Sequence, residues 1–538
     1  MLGRQMWWWL SVLIAQTPFV AGFQAPRSPF SAIKRRALTT TVHRATRVST
    51  GERMINQSAF SAWALENGIQ VGGIKIDSLG PSSGLGLVST QTIPANKVLI
   101  NVPSSMSLSV QTPKDYNRKA SDLCSSRDIY NSLPWYGQLS LQLNALDQNI
   151  LTMGGGGDQK TAKPWMDVLP RKFSTPIHFT DEELEELQYP FLVTAVNKQK
   201  KQWLESYATL SSNLNNNMAL SYEDFQWGCE CARSRAFSGS FSGSAFNVKP
   251  YAFTLLLITA YVGLGLGSLD QAANGAAIVV CGNILKDFVF PKLLFKDTQT
   301  YVICPYIDMA NHVGLGASGN VAFEYFSDGY SLASNQAGVA AEEVYISYGS
   351  RSNDQLLQYY GFVEENNPFD VYLLPPIREW DIEALETAIG RTVSSGRLLK
   401  LERAGLLGNT DNSDTEVFRE DASNKGGGVV VSRQDGVDPA VMQALRALIS
   451  TDEEWEGAGE AIGNFSVEYS GGEENERLTR LAARTAIELE LASKATSLED
   501  DENLIEMKFV EQNENEQLAL RFRIEKKRLL RDTISRLQ

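Results

Sequence analysis

The sequence predicts an α+β protein: a mainly β core opened by a helical insert, followed by an all-α C-terminal domain. Three observations carry this. Short apolar runs bounded by Gly and Pro lie between residues 72 and 109 and return only after residue 300. The stretch between them, about 111–300, is mostly of helical character. Beyond Trp380 helical patterning resumes, broken by one polar, Gly-rich stretch. The boundaries these shifts imply are 52–370 for the β core with its insert, and 371–538 for the helical domain.

The elements follow in order. Ile74-Lys75-Ile76 opens the first strands, Gly84-Leu85-Gly86 is a turn, and residues 98–103 form a buried strand closed by Pro103. Residues 115–236 read as helical. Thr180 before Asp181-Glu182-Glu183 has the form of an N-cap with acids in the first turn. Gly154 to Gly157 is expected to be a loop. Strands are expected again near 302–303, 321–326 and 344–348. Residues 409–436 read as a loop, and the last helix as roughly 502–537, with Leu518, Leu520, Phe522, Ile524 and Leu529 among charges. Residues 251–269 carry no charge and have two readings, a buried core helix or part of a membrane hairpin. The core helix is the expectation, because a single span would separate Arg235 from Asp308.

Composition narrows the function. At 538 residues, 43% of them hydrophobic, the chain can build two or three domains with cores. Cys124, Cys229, Cys231, Cys281 and Cys304 are too scattered for a disulfide framework. With only three histidines, no metal site is expected. Cys229 and Cys231 read as small core residues. The net charge is -14, and no acid occurs before Glu52, so the body is more acidic still. Such a body repels phosphate backbones and argues against nucleic acid partners.

Residues 1–51 look like an address. Arg4 precedes an apolar run, 7–20, that is short for a membrane span and is followed by Ala21-Gly22. Phe23-Gln24-Ala25-Pro26 then leads into a Ser-, Thr- and Arg-rich stretch without acids. The arrangement resembles the bipartite presequence of algae with complex plastids. It implies delivery to the chloroplast stroma; an ordinary secreted protein is the other reading.

Four segments carry chemistry. They are Ser83-Gly84-Leu85-Gly86, Arg233-Ser234-Arg235-Ala236-Phe237, Pro305-Tyr306-Ile307-Asp308-Met309-Ala310-Asn311-His312, and Tyr345-Ile346-Ser347-Tyr348-Gly349 running to Tyr360-Gly361-Phe362. In this order the chain resembles the SET-domain protein methyltransferases, in the branch of the Rubisco large-subunit lysine methyltransferases. The likeness covers about 63–370 and extends more weakly to Leu520-Arg521-Phe522-Arg523-Ile524-Glu525-Lys526-Lys527, which looks like the family's closing helix.

The resemblance implies a SET core with a helical insert and a helical substrate-binding domain. It implies S-adenosyl-L-methionine as cofactor and a protein substrate, with the chain acting as a monomer away from membranes. By the same resemblance Ser83, Gly84, Leu85, Gly86, Ser234, Asn311, His312 and Tyr348 lie at the cofactor. Arg235, Asp308 and Tyr360 line the substrate channel, and Tyr348 and Tyr360 are the catalytic candidates. The Tyr348 hydroxyl would position the acceptor nitrogen, and Tyr360 would close the channel. A free lysine has a pKa near ~10.4, and burial among aromatic rings lowers it toward the neutral nucleophile.

The chain departs from the family in two places. Ser83 stands where an acid is usual, and the segment at 238–300 is longer. The expected function is lysine methylation of a plastid protein, of the Rubisco large-subunit or aldolase type. Two alternatives stay open: a catalytically weak SET-fold binding or assembly factor, and a protein-histidine methyltransferase.

Overall fold

Two antiparallel sheets join strands that lie far apart in the chain, and this pairing builds the β core. The computed structural model describes residues 50–79, 84–112, 115, 121–154, 161–215, 218–239, 299–324, 329–407, 429–508 and 513–538. The address segment, Ser83, most of the expected 154–157 loop and the charge-free run at 251–269 lie outside the described residues.

The first part contains α1 (Thr50–Glu66), β1 (Gln70–Val71), β2 (Ile74–Ser78), β3 (Leu85–Ser89), β4 (Val98–Pro103) and β5 (Leu108–Thr112). The insert contributes α2 (Arg127–Ser132), α3 (Trp135–Asp147), α4 (Lys163–Met166), α5 (Asp181–Glu185), α6 (Pro190–Ser211) and α7 (Tyr222–Arg235). The core resumes with β6 (Phe237–Gly239), β7 (Gln299–Ile303), β8 (Gly319–Glu324), β9 (Gly329–Ser334) and α8 (Asn353–Tyr360). Then come β10 (Val371–Leu374), α9 (Ile382–Ile389), α10 (Ser395–Arg403), β11 (Val429–Ser432), β12 (Gly436–Val437), α11 (Pro439–Ile449), α12 (Asp452–Gly457), α13 (Glu473–Ala492), α14 (Leu498–Lys508) and α15 (Glu514–Arg536).

One sheet has the order β1-β4-β9-β8 and another β5-β7-β6. Asn101 faces Ser331 and Val110 faces Tyr301 across these ladders. β4 and β5 therefore pair with β9 and β7, far later in the chain, as expected of a core made by two separated segments. β2 and β3 form a hairpin in which Asp77 faces Gly86. Leu87, Ile100, Val102, Val110, Val302 and Leu332 fill the shared core. In the insert, α3 and α7 cross closely at Gly228, where a Cβ would strike the Ser140 side chain and backbone. Ser140 and Asn144 seal that crossing by donating to the Phe225 and Asp224 carbonyls at 2.7 and 2.9 Å. Cys229 and Cys231 are fully buried there, as read from the sequence.

Thr180 is the N-cap of α5 and forms a reciprocal capping box with Glu183. The C-terminal part is helical, as expected, around Leu385, Leu445, Ile487, Phe522 and Leu529. Three expectations need correction. The stretch read as loop at 409–436 ends in β11 and the start of β12, which join β10 in a small sheet. The final helix is two: α14 ends at Lys508, and Asn513 starts α15 by capping the Glu516 amide at 2.9 Å. The single apolar stripe hid this start, because a cap interrupts the backbone without interrupting the periodicity. Residues 344–348 are extended but join no ladder. They are held by isolated bridges, antiparallel from Glu343 to Val88 and parallel from Ile346 to His312 and to Gly319. No described helix is long and apolar enough to cross a membrane.

Candidate active site

The site forms where three extended segments meet. Leu79 donates its amide to the Gly84 carbonyl at 3.0 Å, closing the turn into β3, and Gly84 takes a left-handed φ of 66°. Val344 then donates to Leu87 at 2.7 Å, and Ile346 donates to the Asn311 carbonyl at 2.9 Å. Residues 342–346 thus lie between β3 and the Asn311-His312 segment. The Asn311 amide ties all three together, donating to the Leu85 carbonyl at 3.2 Å and to Glu343 Oε1 at 2.8 Å. A Cβ on Gly86 would come within 2.9 Å of that amide and 2.8 Å of Glu343 Oε1. Only glycine leaves this junction intact.

Beside the junction stands a column of rings. His312 stacks on Tyr348 at 4.8 Å, and Tyr348 stacks on Tyr360 at 4.7 Å. Phe362 packs against both ends, 6.1 Å from His312 and 6.3 Å from Tyr360. The Tyr348 hydroxyl donates to the Ala310 carbonyl at 2.9 Å. The Tyr348 amide donates to His312 Nδ1 at 3.0 Å, so the neutral ring carries its proton on Nε2. That Nε2 is buried and meets no hydrogen-bond partner among the described residues; Glu364 Oε2, also without one, lies 3.8 Å away. Glu364 is fixed by the Gly314 amide on its other oxygen at 2.8 Å.

A charged pair lies at the end of α7. Asp308 is fully buried, and its Oδ2 accepts from the Trp165 indole at 3.1 Å with Arg235 Nη1 at 3.5 Å. Arg235 also donates to the Asp308 carbonyl at 2.8 Å, which locks the end of α7 to this turn. Tyr306, two residues earlier, takes a left-handed φ of 78°, a strained setting for a tyrosine. Burial raises the Asp308 pKa, opposed by the Arg235 charge and the Trp165 hydrogen bond.

Gly84, Leu85, Gly86, Asn311, His312, Tyr348 and Tyr360 therefore converge, and Arg235 and Asp308 form a pair. Ser234 sits beside Arg235 on α7, but its hydroxyl donates to the Glu230 carbonyl of its own helix at 2.7 Å. Reasoning from the sequence missed Glu343, Glu364 and Trp165. Each lies in a loop or a short helix, where no periodicity points to a partner.

Burial pushes the His312 pKa from its ordinary 6.5 down to about 4. The unfolded chain therefore binds a proton at His312 between these values while the folded chain does not. This stability is complete above about pH 6.5 and is lost as the pH falls toward 4. Between pH 7 and pH 5 it amounts to about 2 kcal/mol. Urea midpoints measured across that range should fall less steeply in His312→Gln than in the natural chain.

Comparison with known proteins adds to this geometry. Residues 397–530 match the family model described as Rubisco LSMT substrate-binding. The chain is 24% identical over 324 residues to the actin-histidine N-methyltransferase of Drosophila melanogaster, covering 59% of this chain and 51% of that protein. It is 23% identical over 318 residues to the actin-histidine N-methyltransferase of Homo sapiens, covering 57% and 42%. The chain thus spans about half the length of these curated relatives, or less. Its fold matches the SET domain of LSMT bound to lysine and AdoHcy, with a TM-score of 0.54 and 19% identity, over 90% of this chain and 91% of that one. Rubisco LSMT bound to AdoMet matches with a TM-score of 0.52 and 19% identity over the same shares. The likeness to the solved structures is one of fold.

Proposed function

We propose that this chain, a SET-domain protein of the Rubisco LSMT type, is a protein N-methyltransferase that uses S-adenosylmethionine and modifies a lysine of a plastid protein. The observation that carries the reading is the convergence of Gly86, Asn311, His312, Tyr348 and Tyr360 on one junction flanked by stacked rings, with a buried Asp308–Arg235 pair in the turn just before Asn311. The residues present suit the cofactor. An adenine needs flat apolar faces and an amino acid end needs paired donors and acceptors. The ring column offers the first, and the uncommitted His312 Nε2 and Glu364 Oε2 offer a donor and an acceptor. When bound, S-adenosylmethionine supplies a methyl group made electrophilic by its sulfonium.

The chain's own residues then have separate tasks. Gly84 and Gly86 let backbone approach closely. Tyr348, held through the Ala310 carbonyl, fixes a hydroxyl oxygen at a set place in the wall and orients the acceptor nitrogen. Tyr360 restricts the channel, and the aromatic surroundings disfavour an ammonium, so an entering lysine gives up its proton to solvent more readily. Residues 397–530 would grip the folded substrate. Composition of residues 1–51 supports a plastid destination.

A second reading, histidine as acceptor, is favoured by the names of the curated relatives. The pH profile separates the two. The experiment incubates the purified chain with labelled S-adenosylmethionine and stromal proteins, then identifies the labelled amino acid. Methyl-lysine is expected, with a rate that keeps climbing above pH 8, because free lysine titrates near ~10.4. Methyl-histidine, with a rate level above about pH 7.5, would assign the second reading, since histidine titrates near ~6.5. Cofactor binding without any transfer would leave a binding module.

A further inference from the structure

We infer that Lys526 of the C-terminal helix is a positioning residue for the acceptor channel, acting through α8 on Tyr360. This rests on the reading of Tyr360 as a channel wall. Lys526 is 3% exposed and pairs with Asp354 and Asp370; Asp370 Oδ1 lies at 2.8 Å and the Val371 carbonyl at 2.7 Å. Burial alone would lower its pKa, but the two carboxylates lift it above the ordinary lysine value. The ammonium is therefore a fixed charge in the interior.

Asp354 is the second residue of α8, and Tyr360 is the last. The helix is only eight residues long, so it moves as one piece. α15 holds both of its ends. At the start, Asp370 Oδ1 accepts the Asn353 amide at 2.9 Å while also facing Lys526. At the finish, Gly361 takes a φ of 74° and lies so near the Ser174 backbone that a Cβ there would come within 3.1 Å of it, and the Ser174 hydroxyl donates to Glu514 of α15 at 2.9 Å. Just beyond, the Asn366 amide donates to Glu525 Oε2 at 2.9 Å. Glu514, Glu525 and Lys526 thus fix the segment 353–366 from one helix. A turn or slide of α8 would carry Tyr360 away from its 4.7 Å stacking distance to Tyr348. The domain proposed to grip substrate would in this way also set the channel wall.

The test compares Lys526→Met, Lys526→Arg and a control, Leu448→Ala, which opens a cavity on α11 and leaves the ion pairs of Lys526 in place. Hydrogen exchange of amides 356–362 is followed together with methyl transfer at saturating cofactor. Lys526→Met should speed exchange across α8 roughly tenfold or more and lower kcat by about tenfold, with little change in the cofactor Kd. Lys526→Arg should recover most of both. The control should lose melting temperature but keep α8 exchange at the natural rate. If Lys526→Met does not fold, Asp354→Asn carries the same comparison. Exchange across α8 no faster than in the control overturns the inference. If the natural chain labels no protein at all, the reading of the function fails, and the exchange measurement alone decides the role of Lys526.

Discussion

Replacing Tyr348 by Phe is expected to lower the rate of methyl transfer on the order of 10²-fold while leaving cofactor affinity nearly unchanged. The substitution keeps the ring, so its stacking on His312 and Tyr360 survives. What disappears is one oxygen and its hydrogen bond to the Ala310 carbonyl. The loss of that bond leaves a partly buried acceptor unpaired, worth about 1–3 kcal/mol of stability. Under the proposed function the larger effect falls on geometry: the acceptor nitrogen would lose the group proposed to direct it, and small misplacements at a reacting centre cost orders of magnitude. Single-turnover rates with cofactor bound beforehand measure this directly. An unaltered rate would remove the Tyr348 hydroxyl from the chemistry.

A large loss of stability is expected from Arg446→Met. Arg446 on α11 and Glu476 on α13 are both buried and joined at 2.6 and 3.1 Å. Removing the guanidinium leaves a carboxylate inside the domain, with Arg480 Nε at 3.5 Å as its remaining cationic neighbour. Breaking a buried pair in this way costs about 3–5 kcal/mol. The double variant with Glu476→Leu should recover most of the loss, because the stranded charge goes as well. Denaturant midpoints at constant slope read both effects. If the single variant is as stable as the natural chain, the pair contributes nothing to holding α11 against α13.

Much of this was legible in the sequence because strong local rules apply. Thr180 followed by three acids marks a helix start wherever it occurs. The Asn311-His312 and Tyr345-to-Tyr348 segments were set apart by their likeness to known motifs, and folding placed them side by side. What stayed hidden depends on meetings between distant loops. Nothing around Glu343 or Glu364 tells that one reaches the Asn311 amide and the other the Gly314 amide. Residues 344–348 looked like a strand because their apolar alternation is real; single bridges to three partners of mixed direction leave them no ladder. The start of α15 was missed because its stripe of Leu518, Phe522 and Leu529 continues the apolar periodicity, which gives no sign of the Asn513 cap.

The wide separation of paired strands has a consequence for how the chain is made. The Lys97 amide bonds to the Ser334 hydroxyl, 237 positions later. On a ribosome adding roughly 5–20 residues per second, the first strands wait on the order of tens of seconds for their partners. During that time Leu99, Ile100 and Val102 are an apolar edge open to other chains. Productive synthesis should therefore depend on holding chaperones, and slowed translation between the two halves should raise aggregation before it alters any property of the finished protein.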